Sequence, residues 1–99
     1  MDSAVLKASF LVLVRQDTAL LKRVRMNDSP YGTTSQVRFY SADPHAWLSL
    51  EFLPNGKIAI VRYEGIAAME YVNAYSIQDA YKQVRYFSNK TRLKDAEVL

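Results

Sequence analysis

The side chains best suited to catalysis gather in the segment "SADPHAW", where Ser41, Asp43 and His45 occupy alternate positions. His45 is the only histidine, and histidine is the usual general acid or base near neutral pH. Three residues this close together in one turn seldom reach the geometry of a catalytic triad. We therefore expect His45 to be a surface residue beside a proline turn, and we expect the protein not to be an enzyme.

Patterns for metal and cofactor binding are also weak. The chain has no cysteine, which excludes a disulfide framework, a thiolate zinc site and a cysteine nucleophile. Asp43, His45 and Glu51 do not follow a metal-ligand spacing, and the three glycines are too far apart to form a phosphate-binding loop. The sequence therefore predicts no metal and no small-molecule cofactor.

Aromatic residues and arginines are better suited to binding a macromolecule. Tryptophan, tyrosine and arginine are the types most enriched at energetically important positions of protein interfaces. A lone tryptophan in a small domain can also serve as a core anchor. The predicted partner is a larger protein or a second copy of the chain, as a homodimer. The predicted protein-binding residues are Tyr40, Trp47, Arg62 and Tyr63.

Basic residues suggest an alternative partner, nucleic acid. The formal net charge is +3, a modest surplus. On one continuous helix, Arg15, Lys22 and Arg25 would fall within about a quarter of the circumference, a spacing that could follow a phosphate backbone. Long basic side chains can also merely cover the outer face of an amphipathic helix. The predicted nucleic-acid-binding residues are Arg15, Lys22, Arg23 and Arg25.

A small fold must position these groups. The 99 residues are the size of one domain, spanning 1–99, and a hydrophobic share of 49% is enough for a packed core. The predicted class is α+β, a mainly antiparallel three- to four-stranded sheet with a C-terminal helix packed on one face. Val37 and Phe39 alternate with polar neighbours and predict a strand. Ser76 is a suitable N-cap for the final helix, whose apolar stripe is Ile77, Ala80, Tyr81, Val84 and Phe87.

The stretch "AWLSLEFLPNGKIAIVRYEG", residues 46–65, predicts a hairpin about a two-residue Asn55-Gly56 turn. In that register Leu48, Leu50 and Phe52 share the core face with Ala59, Val61 and Tyr63. The reverse face then carries Trp47, Ser49, Glu51 and Leu53 beside Ile58, Ile60, Arg62 and Glu64. Whether the N-terminal element covers this reverse face decides whether it is available to a partner.

Two segments admit two interpretations. Residues 3–26 suit either one helix or a strand through "FLVLV" followed by a helix that starts at Asp17 or Thr18, and we favour the second. Residues 66–75 suit a helix or a third strand after Gly65, and we favour the strand. Asp43-Pro44 and the segment "NDSPYGTTS" predict turns.

The N-terminus lacks the pattern of a secretory signal, and its longest uncharged apolar stretch is too short to cross a bilayer. We therefore expect a cytoplasmic protein with no membrane contact. A compact, basic, cysteine-free chain of this length is typical of accessory proteins from phages and other mobile elements. The leading hypothesis is a small non-enzymatic protein-interaction module that acts as an adaptor, regulator or inhibitor of a larger partner.

Overall fold

A computed structural model describes residues 2–42 and 45–98, with side chains for 2–42 and 45–89. Within these ranges the strands form one five-stranded antiparallel sheet in the order β1-β2-β3-β4-β5. The α+β class is confirmed, whereas the predicted count of three to four strands is wrong. The elements are α1 (Ser3–Arg15), α2 (Thr18–Arg23), β1 (Arg25–Asn27), a 3₁₀ turn (Pro30–Gly32), β2 (Gln36–Tyr40), β3 (Ala46–Phe52), β4 (Ile58–Glu64), β5 (Ala67–Ala74) and α3 (Ile77–Val98).

The N-terminal segment is helical where we expected a strand. Asp2 caps α1 by accepting a hydrogen bond from the amide of Ala4. The buried apolar residues of α1 recur at helical spacing, whereas Val12, inside the predicted strand, is exposed. The strand through "FLVLV" is therefore wrong. The predicted helix start near Asp17 is confirmed, because Asp17 caps α2 by accepting from the amide of Leu20 at 3.0 Å.

Asp17 also joins α2 to α3. The hydroxyl of Tyr81 donates a hydrogen bond to Asp17 at 2.6 Å, and Arg85 Nε lies 3.9 Å from the same carboxylate. The hydrogen bond from Tyr81, then that from the Leu20 amide, holds the pKa of Asp17 below its ordinary value of 3.8. The carboxylate therefore stabilises the fold above that value, and this contribution is lost as the pH falls through the lowered pKa.

Replacement of this carboxylate, Asp17→Ala, should lower the free energy of unfolding by about 1–2 kcal/mol at pH 7, because it removes a helix cap and a contact between helices. The deficit relative to wild type should shrink as the pH falls below 3.8 and through the lowered pKa, where the wild-type carboxylate itself becomes protonated. Urea unfolding at pH 7 and pH 3 measures both effects. As a control, Tyr81→Phe keeps the cap and should lose less. Equal stability of Asp17→Ala and wild type at pH 7 would refute this role.

One face of the sheet packs against both long helices. Strand pairing aligns Val37 with Leu50, Phe39 with Leu48, and Phe52 with Ile58, and these residues are buried. Phe10 of α1 packs against Phe39 and Phe52, with ring centroids 6.2 and 5.4 Å apart. The predicted stripe of α3 is confirmed: its buried members are Ala80, Val84 and Phe87, with Ile77 and Tyr81 half-buried. Ser76 caps this helix by accepting from the amide of Asp79.

The β3–β4 turn is longer by one residue than predicted. Leu53 N donates to Lys57 O, which leaves Pro54, Asn55 and Gly56 as a three-residue loop, and Gly56 has a positive φ of 87°. A shift of one residue turns a whole strand over. β4 therefore buries Ile58 and Ile60 rather than Ala59 and Val61, which removes more apolar area from water. The predicted faces of β4 are wrong for this reason.

The strand predicted at 66–75 is confirmed as β5. The short strand β1 was not predicted; it pairs with β2, with Met26 opposite Phe39. The predicted turn at Asp43-Pro44 lies outside the described residues. Within the ranges that the structure describes, no helix is long and apolar enough to cross a membrane.

Candidate interaction surface

The second face of the sheet lies opposite the helices, and we call it the open face. Strand residues alternate between the two faces of a sheet, so every second pair of opposite residues has its side chains on the open face. Arg38 with Ser49, and Ser49 with Val61, are two such pairs. These side chains are half-buried or exposed, in contrast to the buried helix side. The open face consists of Arg25, Asn27, Gln36, Arg38, Tyr40, Trp47, Ser49, Glu51, Ala59, Val61, Tyr63, Tyr71 and Asn73.

An aromatic row crosses three strands of the open face. Tyr40, Trp47 and Tyr63 are directly opposite one another on β2, β3 and β4. The rings of Trp47 and Tyr63 stack with centroids 4.0 Å apart and planes 6° apart, and Tyr40 stacks on Trp47 at 6.0 Å. The indole Nε1 of Trp47 donates to the carbonyl of Gly65 at 2.9 Å, which fixes the orientation of the ring. The row is thus ordered by contacts within the chain.

Two arginines lie against this row. The guanidinium carbon of Arg25 is 4.6 Å from the ring centroid of Tyr40. That of Arg38 is 4.8 Å from the ring of Trp47 and 4.9 Å from the ring of Tyr31. Each distance is within the range of cation–π attraction. Contacts of this kind restrict long arginine side chains in advance, and restriction before binding lowers the entropic cost of forming a complex.

Tyr31 is held in an unusual backbone conformation beside the row. Its φ of 56° and ψ of 25° place it in the left-handed region, which is uncommon for a bulky residue. The side chain is nevertheless 88% exposed, so burial of its ring does not offset the strain. Strain of about 1–3 kcal/mol tends to persist at functional positions. The Pro30–Gly32 turn thus presents an aromatic ring at the margin of the open face.

Two buried polar atoms on the open face have no hydrogen-bond partner among the described residues: Arg38 Nε and Glu51 Oε2. The other carboxylate oxygen of Glu51 accepts from the hydroxyl of Ser35 at 3.3 Å. An unsatisfied buried polar group costs about 1–3 kcal/mol, so neither atom is explained by stability.

Three of the four predicted protein-binding residues come together, and Arg62 does not. Arg62 pairs with Leu48, so it lies on the helix side of the sheet, beside Phe87 of α3. It forms ion pairs with Glu70 and Glu64, both at 3.1 Å. Partial burial opposes its charge, but these hydrogen bonds outweigh that effect and raise the pKa of Arg62. The error follows directly from the shifted register of β4.

The predicted nucleic-acid-binding residues are divided in a similar way. Arg15 ends α1 and forms an ion pair with Asp28 at 3.0 Å, away from the others. One helix ends at Arg15 and the next ends at Arg23, before β1, so these four residues do not lie on one continuous helix. Lys22, Arg23 and Arg25 do line one cleft of about 480 Å³, together with Tyr40 and Ser41.

Of the groups considered for catalysis, the structure describes Ser41 and His45. His45 is exposed, and its carbonyl accepts from the amide of Gly65. The hydroxyl of Ser41 donates to the carbonyl of Ala46 at 3.0 Å, and Asp43 lies outside the described residues. Over residues 2–42 and 45–89, no three metal-ligating side chains gather in one place.

Arg38 lies on the open face and Tyr31 at its margin, but neither was among the predicted site residues. Arg38 could have been found from sequence, because it is two residues before Tyr40 on the same strand and therefore shares its face. Tyr31 could not, since its position depends on the left-handed turn.

No family model matches this chain, and neither the curated proteins nor the solved structures contain a significantly similar one.

Proposed function

We propose that this protein is a non-enzymatic protein-interaction module that binds a larger partner through the open face. The observation that carries the proposal is the ordered row of Tyr40, Trp47 and Tyr63 with Arg25 and Arg38 against it. Both long helices pack on the other side of the sheet, so the row faces outward. An adaptor, regulator or inhibitor would act by occupying a surface of its partner in this way.

The composition of the open face supports a protein partner. Interface centres are enriched in tyrosine, tryptophan and arginine and depleted in lysine, glutamate and aspartate. The open face has six such enriched residues, the three of the aromatic row together with Arg25, Arg38 and Tyr71, and it has a single carboxylate at Glu51 and no lysine. Aromatic side chains provide large contact area at low cost in conformational entropy.

The stacking geometry also favours protein over single-stranded nucleic acid at this face. Nucleobases bind sheet surfaces by stacking on free ring faces. Here Trp47 has one ring face against Tyr63 and its other neighbours are Tyr40 and Arg38. The faces of the Trp47 ring are therefore largely occupied, and a partner meets hydroxyl and guanidinium groups around it, which suit hydrogen bonding to a protein surface.

Affinity capture from cells of the source organism tests the proposal. Immobilised wild-type protein and the Val12→Ala variant, altered on an exposed residue of α1, should retain the same stoichiometric partner. The Trp47→Ala variant should lose it. Retention of the partner by Trp47→Ala, or the absence of any stoichiometric partner, would count against the open face as the binding surface.

A second candidate function, nucleic-acid binding, is favoured by the basic cleft of Lys22, Arg23 and Arg25. The Nε atom of Arg23 is buried without a partner among the described residues, and no acidic side chain from the described part of the chain lines this cleft. Three cations around one opening could contact consecutive phosphates.

A salt titration with mixed single- and double-stranded oligonucleotides tests this second candidate. The double variant Lys22→Ala/Arg25→Ala should reduce the log–log salt slope by about 2, because each phosphate contact contributes roughly one unit. The charge-matched control, Lys57→Ala/Lys82→Ala, should leave the slope unchanged. Loss of all wild-type binding at physiological salt, or equal slopes for the two variants, would rule out the cleft as a nucleic-acid site.

A further inference from the structure

The strand at one edge of the sheet, β5, is long and poorly protected. It has eight residues, Ala67–Ala74, and no described strand pairs with its outer side. An edge strand exposes a row of backbone donors and acceptors that can pair with another chain. Most of its side chains are exposed, including the large apolar residues Met69 and Tyr71, and Ile66 immediately before it is fully exposed.

Apart from an irregularity in the strand near Met69, the usual protection of an edge is missing here. Folded proteins discourage edge pairing with lysine, proline or an unpaired charge on the edge strand. Residues 66–75, "IAAMEYVNAY", contain neither lysine nor proline. Their single charge, Glu70, is already paired with Arg62 at 3.1 Å on the helix side. The opposite edge differs, because β1 has only three residues and includes the exposed Arg25.

We infer that β5 pairs with β5 of a second copy, which joins two sheets into one continuous antiparallel sheet. A second copy fits because an identical edge can pair with itself about a two-fold axis, so one surface satisfies both partners. The register irregularity between Arg62 and Tyr63 interrupts β5 near Met69 and leaves Glu70 to Ala74 as its regular segment. Pairing of that segment with itself is centred on Val72.

This register brings compatible side chains together. On the open face, Tyr71 of one copy lies opposite Asn73 of the other, and on the helix side Glu70 lies opposite Ala74. Like charges are therefore not placed directly opposite each other. The open faces of the two copies become one surface, and the inference does not depend on whether that surface binds a protein.

Sedimentation velocity over a concentration series tests self-association. Wild type should be a dimer at high concentration, and Tyr71→Lys should weaken the dimer at least about tenfold, because it places a lysine on the edge of each copy. The control Val12→Lys changes an exposed valine on α1 and should behave as wild type. A wild-type protein that stays monomeric up to about 1 mM, or a dimer that Tyr71→Lys leaves intact, would overturn the inference.

Cross-linking distinguishes edge pairing from packing of the two open faces. The natural chain has no cysteine, so introduced cysteines report only their own neighbours. Under mild oxidation the double variant Tyr71→Cys/Asn73→Cys should form disulfide-linked dimers, since paired Cβ atoms on adjacent strands are about 5 Å apart. Val61→Cys, one strand inward on the open face, should not. The reverse pattern would show face-to-face packing and refute edge pairing.

Discussion

Phe10→Ala should lower the free energy of unfolding by about 3–5 kcal/mol, a large share of the 5–15 kcal/mol typical of a small domain. Phe10 is completely buried and packs on both Phe39 and Phe52, so truncation removes a ring from the centre of the core and leaves a cavity. Alanine is a strong helix former, and the substitution therefore reports packing rather than helix propensity. Urea unfolding followed by circular dichroism measures the loss.

The matched control is Val12→Ala, two residues away on the same helix. Val12 is 60% exposed, and its truncation should change the free energy of unfolding by no more than about 0.5 kcal/mol. The contrast locates the face of α1 that packs on the sheet. If Phe10→Ala lowered the free energy of unfolding by less than about 1 kcal/mol, α1 would not pack on the helix side of the sheet. The identification of the other side as the open face would then fail as well.

Strands and helices with a clear periodicity of apolar residues, or with a clear helix-capping residue, could be predicted from sequence. Val37 and Phe39 alternate along β2 as a half-buried strand requires, and Ser76 followed by an apolar stripe indicated α3. Residues 66–75 had mixed propensities, and the preceding Gly65 turn correctly favoured a strand there.

The N-terminal helix was missed because its local composition points elsewhere. Five consecutive apolar residues rich in valine resemble a buried strand, and local propensity carries no information about what covers them. A helix forms here because it buries Phe10 and Val14 against the rest of the fold, and Asp2 caps its N-terminus. Strand β1 is only three residues long and offers no period to detect.

Only part of the site could be predicted, because one turn sets the register of an entire strand. An Asn-Gly pair is compatible with both two- and three-residue loops, and the two differ by one residue in register. The choice is made by the greater apolar area of Ile58 and Ile60, which only the three-residue loop buries. Tyr63 thereby joins Trp47 on the open face, while Arg62 leaves it. Tyr40 and Trp47 were unaffected because they precede the turn.

The other large effect is expected at Trp47, the centre of the aromatic row. Trp47 contacts Tyr63, Tyr40 and Arg38, so Trp47→Ala removes its own contact area and the support for its neighbours. Truncation of a central interface residue of this type costs about 2 kcal/mol or more of binding free energy, a loss of at least about 30-fold in affinity. Arg38→Ala leaves the ring stack in place and should weaken binding to a smaller extent.

The control for this loss is Tyr75→Ala. Tyr75 is 73% exposed, and it lies in a cleft with Leu6 and Ser9 of α1, on the helix side of the sheet. Its substitution removes an exposed tyrosine of the same size class without touching the open face. Thermal unfolding of each variant separates a change in affinity from a loss of the fold.

The most direct measurement is calorimetric titration of the captured partner with wild type, Trp47→Ala and Tyr75→Ala. The open face as binding surface predicts affinity at least about 30-fold weaker for Trp47→Ala and within about threefold of wild type for Tyr75→Ala. Affinity of a folded Trp47→Ala variant equal to that of Tyr75→Ala would contradict the assignment of function to the open face.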